Sequence, residues 1–163
     1  MVTKKNFLLL SLLFIFYTSS GQEGELQLYQ NGYHLRQYSE ISGLASNRCK
    51  RVFEDSRGFL WVFTFQGLSR FDGREFVNFG INEGLPGSNI TQVCEDSSGF
   101  IYVANTSGIA RYTGYDKKTG SYFYVYPQTK GLASAIFGFQ AIDSTTIIFQ
   151  LGDGSVNLLK TEL

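Results

Sequence analysis

The stretch Phe53-Glu54-Asp55-Ser56-Arg57-Gly58-Phe59-Leu60-Trp61-Val62-Phe63-Thr64-Phe65-Gln66-Gly67-Leu68-Ser69-Arg70-Phe71-Asp72-Gly73 decides the fold, because the chain writes it twice. It returns 41 positions later as Cys94-Glu95-Asp96-Ser97-Ser98-Gly99-Phe100-Ile101-Tyr102-Val103-Ala104-Asn105-Thr106-Ser107-Gly108-Ile109-Ala110-Arg111-Tyr112-Thr113-Gly114. Asp55 maps to Asp96, Gly58 to Gly99, Trp61 to Tyr102, Gly67 to Gly108 and Arg70 to Arg111. The flank before it keeps the offset, with Gly43-Leu44 answered by Gly84-Leu85 and Tyr38 by Phe79. A period of about 40 to 45 residues with strand-like content is the mark of β-propeller blades. The expected fold is all-β: a partial β-propeller of about three four-stranded blades behind an N-terminal leader.

Within a repeat, Asp55-Ser56-Arg57-Gly58 reads as a turn. Its leading carboxylate accepts backbone N–H groups two residues on, and its closing Gly suits positive φ. The run Phe59-Leu60-Trp61-Val62-Phe63 is apolar without alternation, as a strand covered on both faces must be. In a propeller each blade lies between two others, which supplies that cover. The predicted strands of the first blade are 48–53, 59–64, 68–71 and 75–79. Those of the second are 90–95, 100–104, 109–112 and 121–126, with Tyr115–Gly120 as an insertion in the last hairpin. A degraded third repeat sets Asp143 in the place of Asp96 and Phe149 in that of Tyr102. His34–Tyr38 is left as an orphan fourth strand. Three blades are too few to close a ring of 4 to 8, so missing blades or self-association are expected.

Residues 1–21 read as a signal peptide, and 22–163 as the propeller, with repeats at about 34–74, 75–120 and 121–160. Lys4 and Lys5 precede the eleven apolar-rich residues Phe7–Tyr17, and Thr18-Ser19-Ser20-Gly21 suits cleavage after Ser20 or Gly21. Eleven residues are too few for a hydrocarbon core that needs about 20. The expected location is periplasmic or secreted. Formal charge is zero over the whole chain, with 14 basic and 14 acidic residues. The charge reads as spread, with no basic run or stripe, and nucleic acid is excluded as a partner. Cys49 and Cys94 align with Ile90 and Phe53, so both read as buried free thiols.

These residues resemble the two-component regulator propeller repeat. Gly58, Trp61, Thr64, Gly67, Leu68, Arg70, Asp72 and Gly73 carry the resemblance, which is strong over about 33–112 and weak over 121–160. It implies the periplasmic sensor region of a membrane-bound histidine kinase, with a glycan or other small extracellular ligand. Such sensors are commonly rings of seven blades. Here there are about three, and no kinase motif is present to carry activity over.

Candidate chemistry is sparse. His34, the only histidine, lacks companions for a metal site, and no metal or cofactor is expected. Glu54-Asp55 and Glu95-Asp96 resemble acid pairs, yet their recurrence at identical repeat positions argues for turn capping over glycoside hydrolysis. Asp55, Gly58, Trp61, Gly67, Asp96, Gly99, Tyr102 and Gly108 read as structural repeat positions. Candidate ligand residues are Tyr122, Tyr124 and Tyr126, which alternation sets on one strand face, with Asn82 and Asn89 on the inter-blade loop. The expected function is a non-catalytic, extracytoplasmic ligand-sensing module in signal transduction. The alternatives are a stand-alone secreted binding or scaffold protein and, behind it, a carbohydrate-active enzyme.

Overall fold

The computed structural model describes residues 28–30, 33–132 and 134–161, in two compact units that divide after Tyr38. The signal-peptide reading of 1–21 lies outside the described residues. In the first unit, β1 (Leu28–Gln30) and β2 (Tyr33–Leu35) form a two-stranded antiparallel sheet, with Tyr29 opposite His34. The strand expected to stand alone at His34–Tyr38 is therefore shorter, starts earlier and has a partner. The sequence between the two strands is Asn31-Gly32, the dipeptide most favoured for a two-residue hairpin.

The second unit consists of three antiparallel sheets in chain order. β3 (Cys49–Glu54), β4 (Leu60–Thr64), β5 (Gly67–Phe71) and β6 (Phe76–Phe79) make the first. The second is β7 (Gln92–Glu95), β8 (Ile101–Asn105), β9 (Gly108–Asp116) and β10 (Ser121–Val125). The third has three strands, β11 (Ile136–Asp143), β12 (Thr146–Leu151) and β13 (Val156–Lys160). Each sheet is a meander with sequential strands side by side. β9 runs into the insertion as far as Asp116, whose carboxylate accepts from the Lys118 amide at 2.8 Å and closes the hairpin.

The unbroken apolar run of the second strand now has its cause. In β8, Ile101 and Val103 enter the core shared with Trp61, Phe63 and Leu68 of the first sheet. Tyr102 and Ala104, on the opposite face, enter the core shared with Ile136, Ile147 and Phe149 of the third. Each of these Ile and Val side chains is fully buried, worth about 1.5–3 kcal/mol apiece. The blades are held together by face-to-face burial, and strand pairing only builds each blade.

Phe149 is a correction to the repeat alignment. The residues of the second sheet that face back toward the first are Ile101 and Val103. In the third sheet those facing back are Ile147 and Phe149. Phe149 thus stands at the Val103 position, and Ile148 at that of Tyr102. The turn is the reason: Asp143 pairs directly with Thr146, whereas Glu95 and Ile101 are separated by five residues. The shorter turn shifts the strand by one residue, and a one-residue slip exchanges its faces.

The outer faces of the first and third sheets are less covered. Val52 is 57% exposed, whereas Val93, its repeat counterpart, is buried between blades. On the third sheet Val156 and Leu158 are both more than half exposed. Cys49 is exposed and Cys94 buried, and both are free thiols. The expectation of two buried thiols fails at Cys49 because its counterpart Ile90 is covered by the preceding sheet.

Candidate functional site

The Asp-x-x-Gly turns hold the most densely bonded polar groups of the blades. Asp55 is buried, and its Oδ1 accepts from the amides of Arg57 and Phe59, both at 3.0 Å. Its Oδ2 accepts from the Trp61 indole Nε1–H at 2.9 Å. One carboxylate thus closes the turn and fixes the ring that anchors the inter-blade core. Burial by itself would raise the Asp55 pKa. The Trp61 donor, the two amides and the Arg57 charge together outweigh it and hold the carboxyl below its ordinary value.

Asp96 repeats the arrangement with a different ring. Its Oδ1 accepts from the Ser98 amide at 2.8 Å and the Phe100 amide at 3.0 Å, and its Oδ2 from the Tyr102 hydroxyl at 3.1 Å. Trp and Tyr exchange at this position because both carry a donor at the ring's far edge. In the third repeat Ile148 occupies the place and offers none, and Asp143 is exposed, closing only its own short turn through Thr145. The third repeat thus keeps the Asp but offers it no ring donor.

Further polar contacts cross between the first two sheets at the repeat spacing. The Glu95 carboxylate accepts from the Ser56 amide at 2.8 Å and from the Ser56 hydroxyl, clasping the turn of the first blade. The Arg70 Nη1 donates to the Tyr112 hydroxyl at 2.8 Å while the guanidinium lies 4.7 Å over the Phe59 ring. Arg111 lies likewise over Phe100, at 4.6 Å. Glu95, the Arg70 Nη1 and the two Asp carboxylates are occupied by the fold, while the Nε atoms of Arg70 and Arg111 are buried with no hydrogen-bond partner among the described residues.

The ligand candidates do not converge. Tyr122 packs beside the first core, edge-on to Phe79 at 5.2 Å. Tyr126 is buried in the second core, stacked on Tyr102 at 6.5 Å, and its hydroxyl donates to the Thr161 carbonyl. Burial raises its pKa. Tyr124 alone is exposed, at 39%. A register shift between Ser121 and Phe123 breaks the alternation and sets Tyr122 apart, while Tyr124 and Tyr126 stay on one face with their rings 5.1 Å apart. Asn82 and Asn89 are both exposed on the linker 80–91, which leans on the turn between β8 and β9.

That same end of the first blade holds a cluster that charge averaged over the chain conceals. Arg48, Lys50 and Arg51 stand almost side by side in sequence and are all exposed. The Phe65 amide donates to the Arg48 carbonyl. The Arg48 guanidinium lies 4.2 Å from the Phe65 ring centre, and the Lys50 ammonium 4.1 Å from it. The local sequence Arg-Cys-Lys-Arg was the available signal. Among the described residues no group of His, Cys, Asp and Glu is placed to hold a metal ion, and no helix is long and apolar enough to cross a membrane.

Comparison with known proteins bears on the repeats. A family model described as two component regulator propeller matches residues 84–107, from the linker to the turn after β8. An extracellular domain from B. thetaiotaomicron, described as that of a hybrid two component system, is 21% identical, with a TM-score of 0.60 over 85% of this chain and 19% of that one. A second such domain from the same organism is 17% identical, with a TM-score of 0.59 over 90% of this chain and 18% of that one. The chain therefore spans about a fifth of the length of these structures. No curated protein matches it. At these identities the structural likeness speaks for the fold, and together with the matched repeat it gives one conclusion: the chain carries the two-component regulator propeller repeat on a propeller-type β-fold.

Proposed function

We propose that the chain is a non-catalytic ligand-sensing propeller module of an extracytoplasmic sensor, and that its ligand is an oligosaccharide. The observation that carries this reading is how the acidic residues of the repeat are used. Asp55 and Asp96 are buried and saturated by turn amides and ring donors, and Glu95 is engaged by Ser56. Glycoside hydrolysis needs two carboxylates free to face one bond; three of the four recurrent acids are committed to the fold, which leaves Glu54 without a second recurrent carboxylate to act with. The likeness to extracellular domains of two component systems supports an extracytoplasmic place beside a membrane-bound histidine kinase. The linker end, with Asn82, Asn89 and exposed side chains from several segments, is where such a module takes its ligand.

The test is calorimetric titration of the purified protein with a panel of neutral and acidic oligosaccharides, followed by assay of the same mixtures for reducing ends. Binding without release of reducing ends is expected. Bond cleavage, or no binding by any member of the panel, would overturn the reading.

A further inference from the structure

Residues that recur at the repeat spacing are explained by the repeat's own packing, so a departure from the repeat on an exposed surface calls for another cause. The linker end of the first blade holds such a departure. The second repeat carries Asn89, Thr91 and Thr106, all uncharged, where the first carries Arg48, Lys50 and Phe65. No packing need accounts for the difference: Arg48 and Lys50 are exposed, and Phe65 is 45% exposed.

Two like charges gathered on one ring repel each other, and an arriving anion relieves that repulsion. Among the described residues neither Arg48 nor Lys50 has an ion pair or a side-chain hydrogen bond; the contacts of their charged heads are with the ring. The Glu40 carboxylate accepts from the Asn47 amide at 2.8 Å and, among the described residues, forms an ion pair with neither. Arg51, on the same strand, donates to the Gln92 side chain at 3.3 Å and brings a third positive charge to this stretch. The ring holds the ammonium and guanidinium in place by cation–π attraction, which lowers the entropy lost when an anion arrives.

From this we infer that Arg48, Lys50 and Phe65 form an anion-binding subsite, and that the ligand of this module is an acidic oligosaccharide carrying carboxylate or sulfate groups. The inference rests on the oligosaccharide reading given above and adds the charge of the sugar. An Arg fork takes a carboxylate or sulfate through paired N–H donors, and Lys adds a point charge.

The experiment titrates the full protein with three hexasaccharides: hexagalacturonate for carboxylate, a heparin-derived hexasaccharide for sulfate, and maltohexaose as the neutral control. The titrations are repeated at raised salt and with the double variant Arg48→Gln/Lys50→Gln, whose melting temperature is checked first. The wild type should bind at least one acidic hexasaccharide about tenfold more tightly than the neutral one. That affinity should fall with salt and drop by about tenfold in the double variant. The two acidic probes tell carboxylate from sulfate. Binding of maltohexaose as tight as that of the acidic probes, or acidic binding unchanged in the double variant, would overturn the anionic subsite and leave the oligosaccharide reading standing. Absence of binding by all three would bring down both.

Discussion

The Asp55 carboxylate accepts the indole proton of Trp61 at 2.9 Å, six residues further along the chain and out of contact with water. The same relationship joins Asp96 to the Tyr102 hydroxyl. It couples two levels of structure: the oxygen that orients the inter-blade ring belongs to the group that closes the turn. Asp55→Asn should therefore loosen turn and core at once, at a cost of about 1–3 kcal/mol. Trp61→Ala should cost about 3–5 kcal/mol, the range of a deleted core aromatic. Denaturant unfolding of both variants checks this, and wild-type stability in Asp55→Asn would remove the coupling.

The lock also sets an acid limit. Asp55 has a folded pKa below its ordinary 3.8. Its stabilising contribution is complete above the unfolded pKa and is lost as pH falls through the folded one. Asp72, Asp143 and Asp153 are shifted down as well, by hydrogen bonds from the residues that follow them, so the share of Asp55 must be taken by difference. Melting temperatures of wild type and Asp55→Asn should converge as pH is lowered from about 5 to about 2. A gap that stays constant down to the lowest pH would contradict the assignment.

Glu54 and Glu95 occupy one repeat position in two settings. Glu95 clasps the Ser56 turn of the blade before it, whereas Glu54 is exposed and makes no such contact among the described residues. Glu95→Ala should cost about 1 kcal/mol, discounted for exposure. Glu54→Ala should lie within about 0.5 kcal/mol of wild type. Parallel thermal melts of the two variants compare them, and equal losses would argue against the clasp.

Two glycines separate strain from collision. Gly58 has φ 84° with open space around the site of a Cβ, so Gly58→Ala pays only the left-handed penalty of about 1–2 kcal/mol. Gly67 has φ 143°, and a Cβ there would lie 2.3 Å from the Phe79 carbonyl oxygen of the neighbouring strand. Gly67→Ala should exceed about 3 kcal/mol or leave the protein unfolded. Urea midpoints decide, and equal losses would place the close approach elsewhere.

The repeat made the blades legible because a strand buried on both faces spells itself out as an apolar run. β4, β5 and β8 lie within a residue or two of their expected ends. Where an insertion or deletion altered the register, the pattern misled. The shortened turn at Asp143 exchanged the faces of β12 and put Phe149 where a smaller side chain had stood. The irregularity after Ser121 separated Tyr122 from Tyr124 and Tyr126, which period-two alternation had placed in one row. The pairing of β1 with β2 was not legible because Leu28–Gln30 precedes the repeat, whose offset relates Tyr38 to Phe79 and says nothing of what lies before it. The basic cluster at Arg48 was hidden by a net charge of zero. Such balance describes the whole surface and not one end of one blade.

The cysteines give a simple check on which sheet faces are covered. Cys94 is buried between the second and third sheets, where desolvation pushes its thiol pKa up to about 12, while Cys49 is exposed. Thiolate is the reactive form. The folded protein should react with one equivalent of a thiol reagent, at Cys49, and with the second only in denaturant. Rapid reaction of two thiols in the folded state would mean that the second and third sheets do not pack face to face.

The most direct measurement of the central claim, that a buried carboxylate locks the inter-blade ring and thereby the blades, uses the single tryptophan. Hydrogen exchange of its indole N–H by two-dimensional NMR reports on the Asp55–Trp61 bond alone. The predicted result is one indole resonance that exchanges only as fast as the protein unfolds globally, and that loses this protection in Asp55→Ala under conditions where the backbone remains folded. An indole proton that exchanges in the native protein at the rate of the unfolded chain would contradict the account.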